Sequence, residues 1–290
     1  MVKKSFLVTG ASGLVGKYIV ETLSKQYKIY ALVRSIPDNF IQDVTYFEAD
    51  LTSDFFTTCL PKEIDGIIHL AQSNYARDFP LQALDIFNVN VKSTSLLLDY
   101  AQKSGATHFI YTSTGGVYGT ALEPFKEDMQ INISSGELSF YFTSKYIAEN
   151  LVKSYSELMS VYILRPFFIY GKNQRSSMLL PRLIKNIKNG NPINLQGEKG
   201  LLINPVHVSD VVELIRECLL INNGTTINVA GPNIFYLRDI AEILGDFLGK
   251  QPIYNQLTGD YNHIVANNDI MKKIIRRPLI EFQKGVVDLI

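Results

Sequence analysis

The chain has 290 residues, 46% of them apolar and only 19% charged, a composition that supports a large core and excludes disorder. Its 28 basic and 28 acidic side chains cancel, so neither nucleic acid nor a membrane surface is an expected partner. Two widely separated cysteines, Cys59 and Cys218, exclude a disulfide framework and a thiolate metal cluster, and no metal is expected.

No apolar run reaches the roughly 18 residues of a spanning helix. Met1-Val2-Lys3-Lys4-Ser5-Phe6 enters a strand pattern at once, which leaves no room for a signal peptide and points to a cytoplasmic protein. The first strand is Ser5 to Thr9, a short apolar run ended by Gly10. Leu14 to Gln26 carries apolar residues at 14, 15, 18, 19 and 23, the spacing of a helix. Strands follow at Lys28 to Val33, Val44 to Glu48, Gly66 to Leu70 and His108 to Thr112. A long helix over Leu81 to Lys103 separates the last two, and a second, Glu137 to Leu158, precedes the strand Val161 to Leu164. Strands alternating with helices predict an α/β fold: a doubly wound parallel sheet with helices on both faces.

Past Pro166 the texture changes. Asn, Gly and Pro become dense and the elements shorten, with helices expected at Val208 to Ile221 and Leu237 to Leu248 and a strand at Thr225 to Val229. The expected organisation is a dinucleotide-binding domain over 1–166 and a smaller mixed α/β substrate-binding lobe over 167–290. That lobe is expected to return elements to the sheet.

Between the first strand and the first helix stands Gly10-Ala11-Ser12-Gly13-Leu14-Val15-Gly16. Glycines at this GxxGxxG spacing allow a tight turn and a close backbone approach to a pyrophosphate, while the helix N-terminus offers free N–H groups. The second strand ends in Arg34 and no carboxylate follows until Asp38. A carboxylate there reads a ribose 2′-hydroxyl, whereas a guanidinium accommodates a 2′-phosphate, so NAD or NADP is expected with a lean toward NADP.

Tyr141-Phe142-Thr143-Ser144-Lys145 places a phenol and an ammonium four residues apart on one helix face, the only such pairing in the chain. A phenol serving as a base near neutrality must have its pKa lowered by about 3 units, roughly 4 kcal/mol. A neighbouring ammonium and a cationic nicotinamide are the expected sources. Hydroxyls for a third role stand at the end of the fifth strand, in Thr112-Ser113-Thr114-Gly115-Gly116-Val117-Tyr118-Gly119.

Together these segments resemble the extended short-chain dehydrogenase/reductases, and within them the NAD-dependent epimerase/dehydratase family of nucleotide-sugar enzymes. The resemblance implies a Rossmann domain. It makes Tyr141 the catalytic acid/base, Lys145 its ribose-binding and pKa-lowering partner, and Thr114 the hydroxyl that polarises the substrate C–O bond, with Ser113 as an adjacent alternative. It assigns the cofactor to Gly10, Ser12, Gly13, Leu14, Val15, Gly16, Arg34, Asp50, Leu51, Leu70, Ala71, Asn90, Thr112, Tyr141, Lys145 and Pro166. His69-Leu70-Ala71 matches a family motif with Gln72 where a second alanine is usual, and Asn90-Val91-Lys92-Ser93-Thr94 matches another with Ser93 for glycine.

Two departures narrow the chemistry. Gly115-Gly116 replace the Asp-Glu pair with which the family's 4,6-dehydratases eliminate water, so that reaction ranks low. Ile203 stands where the family usually places an arginine on the nucleotide phosphates, leaving Lys172, Arg175, Arg182 and the more distant Arg276 and Arg277 as candidates. His207 reads as a structural hydrogen-bonder. The expected partner is a nucleotide-sugar substrate, and the expected activity is 4-epimerisation. A 4-keto-sugar reductase using NADPH is the first alternative, and a catalytically silent NAD(P) sensor the second. The resemblance also implies a homodimer in which the two long helices build a four-helix interface.

Overall fold

The computed structural model describes residues 3–38, 40–259 and 263–290, so Met1 and Val2, with which the strand reading begins, lie outside the described residues. Six parallel strands form where the apolar runs predict them: β1 (Ser5–Thr9), β2 (Lys28–Val33), β3 (Val44–Glu48), β4 (Gly66–His69), β5 (His108–Thr112) and β6 (Ser160–Pro166). With Thr226–Val229 they make a seven-stranded sheet in the order Thr226–Val229, β6, β5, β4, β1, β2, β3. The reversal of direction lies between β1 and β4, the place where an open α/β sheet leaves a crevice at its strand C-termini. Phe6, Leu7, Val8, Ile67, Ile68, Phe109 and Ile110 are almost wholly buried, because central parallel strands are covered on both faces.

Most helices are shorter than their periodicity suggests, although the one expected at Leu237 to Leu248 forms with those ends. Helix α1 spans Leu14–Leu23 and turns inward Gly16, Ile19, Val20 and Leu23; Ser24 to Gln26 are a turn. The stretch expected as one helix over 81–103 is three pieces: α2 (Ala83–Phe87), a π-helical turn at Asn88–Lys92, and α3 (Ser93–Lys103). Around that wider turn Ser93 Oγ donates to the Val89 carbonyl at 2.6 Å and Thr94 Oγ1 to the Asn90 carbonyl at 2.8 Å. Hydroxyls bonding to the preceding turn loosen a helix in this way. Helix α4 is Ser139–Lys153 rather than 137–158.

The described chain forms two compact units. One takes Met1–Val117, Ile133–Arg165 and Val212–Ile227, and the other takes Tyr118–Asn132, Pro166–Val211 and Asn228–Ile290. The second unit holds the helix Leu179–Asn189, which the Asn- and Gly-rich sequence around it conceals. It buries Leu180, Leu183, Ile184 and Ile187 on one stripe and ends at Gly190, in the left-handed region at φ 67°. Ile203 is fully buried there in an apolar cluster with Leu195, Leu237 and Phe282.

Candidate active site

The glycine turn is shaped by backbone contacts that leave no space for side chains. Gly10 has φ 68°, and a Cβ on it would lie 2.8 Å from the Ala71 amide nitrogen. A Cβ on Gly16 would lie 2.2 Å from the Gly10 carbonyl oxygen. Gly13 caps α1 without a side-chain hydrogen bond, so the first N–H groups of the helix, at Leu14, Val15 and Gly16, have no intrahelical acceptor. A Gly16→Ala variant is expected to lose dinucleotide binding together with about 1–3 kcal/mol of stability, from overpacking against rigid backbone. Calorimetric titration and a denaturation midpoint both equal to wild type would show that the turn can open.

The end of β4 is held from both sides. His69 Nδ1 and Thr9 Oγ1 are 2.6 Å apart, His69 Nε2 lies 3.0 Å from Thr94 Oγ1, and the Ala71 amide donates to Thr9 Oγ1 at 3.2 Å. Burial, reinforced by the Lys145 charge, pushes the imidazole pKa down to about 3, so His69 is a neutral strut. Leu70 and Ala71 are thereby fixed beside the glycine turn. Leu51 is buried after β3, while Asp50 is exposed and its carboxylate accepts from the Thr52 amide at 2.9 Å. Arg34 is exposed at the end of β2 and forms no salt bridge with the described residues. Ser12 is exposed, and Pro166 closes β6 half-buried.

Tyr141 and Lys145 lie one helical turn apart on α4, and both are buried. Tyr141 donates to Gln72 Oε1 at 2.6 Å. The Lys145 ammonium sits 4.5 Å from the centre of the Tyr111 ring, and no hydrogen bond from it is found among the described residues. Asn90, 1% exposed, accepts from the Ser73 amide and donates to Ser144 Oγ, both at 2.9 Å, and Ser144 Oγ donates to the Tyr141 carbonyl. Both ends of its amide are engaged within the protein, so what the geometry gives Asn90 is positioning of α4. Glu149, one further turn along, receives Arg165 of β6 through two bonds of 3.0 and 2.6 Å. Arg165 stands in the segment Leu164-Arg165-Pro166, which resembles the family's stretch after the sixth strand, but the sequence gives no sign of its pairing with Glu149. The signal for Glu149 itself was the Tyr141, Lys145, Glu149 spacing of four and four along one helix face.

The expected lowering of the phenol pKa is absent from the protein by itself. Burial pushes Tyr141 up, and burial pushes Lys145 down to about 7 against a partial opposing pull from Glu149. Desolvation penalises phenolate and ammonium alike, and the Lys145 charge faces the Tyr111 ring instead of a carboxylate.

At the end of β5 the hydroxyls of Tyr111, Thr112 and Ser113 are buried without a partner among the described residues. Thr114 Oγ1 accepts from the Gly116 amide at 3.1 Å. A Cβ on Gly116 would strike the Phe142 ring at 2.2 Å, so that position is occupied by an aromatic from α4 and carries no carboxylate. An ammonium lacking acceptors, hydroxyls lacking partners and a glycine turn with open N–H groups fit a ligand rich in hydroxyls and phosphate. Such a ligand is a dinucleotide.

In the second unit His207 lies 3.3 Å from the Asp288 carboxylate and edge-on to Tyr170, a structural environment. Arg277 pairs with buried Asp210 at 2.7 Å, while Lys172, Arg175, Arg182 and Arg276 are exposed. An open recess of about 730 Å³ is lined by Gly197, Glu198, Arg238, Gln256, Leu257 and Thr258, none of which belongs to the site described above. Among the described residues no His, Cys, Asp and Glu side chains gather as a metal site, and no helix is long and apolar enough to cross a membrane.

Sheet order and glycine turn define a Rossmann-type α/β protein, with Tyr141 and Lys145 one turn apart on α4. The chain belongs to the NAD dependent epimerase/dehydratase family, whose model matches residues 6–230. It is 28% identical over 228 residues to a mouse dTDP-D-glucose 4,6-dehydratase, covering 72% of this chain and 63% of that protein. It is 26% identical to a UDP-glucuronate 4-epimerase of Thermodesulfobacterium geofontis, over 97% of this chain and 93% of that protein. The chain spans 62% to 64% of the length of the mouse, Dictyostelium discoideum and human dehydratases. Its fold is that of MoeE5 in complex with UDP-glucose and NAD, with a TM-score of 0.85 at 24% identity, over 98% of this chain and 97% of that one.

Proposed function

We propose that this protein is an NAD(P)-dependent nucleotide-sugar epimerase of the 4-epimerase type. The observation that carries the reading is the buried Tyr141–Lys145 pair beside unpartnered hydroxyls at the end of β5. The glycine turn and the N-terminus of α1 would hold the pyrophosphate. Leu51, Leu70 and Ala71 would flank the adenosine half, and Lys145 would donate to ribose hydroxyls.

When bound, the nicotinamide supplies a reversible hydride acceptor and a positive ring charge. Tyr141 removes the proton from the sugar hydroxyl and later returns it. Thr114 hydrogen-bonds the same oxygen, so the carbonyl formed on the sugar stays polarised. Lys145, once hydrogen-bonded, holds charge beside the phenol and offsets the burial that keeps it neutral. Phe142 against Gly116 supports epimerisation over dehydration, because no acid or base stands there to expel a second hydroxyl. Units one and two would serve cofactor and sugar nucleotide respectively. With Ile203 buried, the diphosphate falls to exposed cations such as Lys172, Arg175 and Arg182. Leu84, Phe87 and Ile147, exposed on α2 and α4, would be covered in a homodimer.

A second reading, an NADPH-dependent 4-keto-sugar reductase, is favoured by Arg34 alone, exposed at the end of β2 without an ion pair among the described residues. The test combines release of bound nucleotide on denaturation with thermal shifts for NAD, NADP and UDP-, GDP- and dTDP-sugars. An epimerase yields tightly held NAD(H) and is stabilised by a sugar nucleotide, about 2.7 kcal/mol at a hundredfold over its dissociation constant. A reductase yields no bound cofactor and a larger shift with NADPH. No shift with any dinucleotide would end both readings.

A further inference from the structure

Gln72 has no assigned part in the chemistry proposed above, yet among the described residues it is the side chain that accepts from the Tyr141 hydroxyl, at 2.6 Å. It follows directly on Leu70 and Ala71, whose backbone is fixed by Thr9 and His69, so its Cα is anchored while its side chain is exposed. A carboxamide is unusual among side chains in offering an acceptor and a donor that exchange places on a half-turn about its last bond. With the oxygen toward Tyr141 it accepts from the phenol, as observed. With the NH2 group toward Tyr141 it donates to the phenolate. An alanine could do neither.

We propose that Gln72 is a positioning residue for Tyr141, serving both protonation states by rotation of its amide. The inference rests on Tyr141 being the acid/base of the proposed reaction. The charged or titratable groups interacting with Tyr141 or with its neighbour Lys145 are Glu149 on α4, Tyr111 on β5 and His69 on β4, and Glu149 is bonded in turn to Arg165 on β6. None of them can play this part. Glu149 is taken by Arg165, His69 by Thr9 and Thr94, and Lys145 is a donor only. Tyr111 is itself buried and neutral.

Hydrogen bonds to an ionised group are stronger than those to a neutral one, so losing Gln72 harms the phenolate more than the phenol. The Tyr141 titration is therefore expected to move to higher pH by ~1 pH unit in Gln72→Ala. It should move further in Gln72→Glu, whose carboxylate accepts from the phenol but repels the phenolate. The experiment is ultraviolet phenolate absorbance of the NAD-saturated protein, each variant read against the same variant carrying Tyr141→Phe, which cancels the other fifteen of 16 tyrosines. The acid limb of the kcat profile should move in the same direction, while dinucleotide affinity stays within about twofold. An unchanged or lowered titration in Gln72→Ala overturns the proposal, the lowered one meaning that Gln72 only pins the neutral phenol. Dinucleotide binding is measured first: its absence sinks the enzymatic reading and this inference with it, whereas with binding intact the titration alone decides the role of Gln72.

Discussion

Replacing Tyr141 by phenylalanine is expected to reduce turnover by about 10²–10⁴-fold, the usual loss when a general acid/base is removed. Dinucleotide affinity should stay within a few-fold of wild type. The ring is buried, and the substitution deletes only an oxygen whose hydrogen-bond partner, Gln72, is exposed and can turn to water. Lys145, the glycine turn and the hydroxyls of β5, to which the proposed reading gives the cofactor, remain in place. The measurement is steady-state turnover on a UDP- or dTDP-hexose alongside a calorimetric titration of NAD. Unchanged turnover would sink the assignment of Tyr141. Loss of NAD affinity in parallel with turnover would instead make Tyr141 a binding residue.

Arg165→Met is expected to cost about 3–5 kcal/mol of stability, read as a large fall in the denaturation midpoint. Arg165 and Glu149 are 2% and 0% exposed and meet through two hydrogen bonds, so truncating the cation leaves a carboxylate buried without compensation. Lys153 lies 3.9 Å from the same carboxylate but is half exposed, and cannot replace a bidentate guanidinium. The double variant Arg165→Met, Glu149→Leu should recover most of the loss, because it removes the stranded charge together with its partner. A single variant with a wild-type midpoint would show that water reaches Glu149. Because this pair ties α4 to β6, the destabilised variant should also lose activity before it loses its fold.

The strands were legible because each is a short apolar run bounded by turn residues, and burial on both faces of a parallel sheet needs no subtler pattern. Helix ends were not. Ser24 to Gln26 and Ser154 to Leu158 continue the periodicity but lie in turns, and the π-helical turn at Asn88–Lys92 falls inside an unbroken apolar stripe. The helix Leu179–Asn189 was missed because its four inward residues sit among polar ones and the flanking Asn and Gly read as loop. In the site, Tyr141 and Lys145 could be paired from spacing alone. Glu149 with Arg165, Asn90 with Ser144, and Gln72 with Tyr141 join residues 16, 54 and 69 positions apart, and no local pattern encodes such pairs.

The sequence by itself determined the strands β1 to β6 and their alternation with helices, the glycine turn at Gly10 to Gly16, and which phenol and ammonium share a helix face. These are properties of local periodicity and of single residue types. The tertiary structure decided the electrostatics. Burial raises the Tyr141 phenol and lowers Lys145, opposite to what their proximity in the chain suggests, because desolvation depends on everything packed around a group. It also decided the partners, setting Gln72 on the phenol and Arg165 on Glu149, and burying Ile203 where a cation was wanted. Hydrogen bonds between distant segments exist only once the sheet has brought the ends of its strands together.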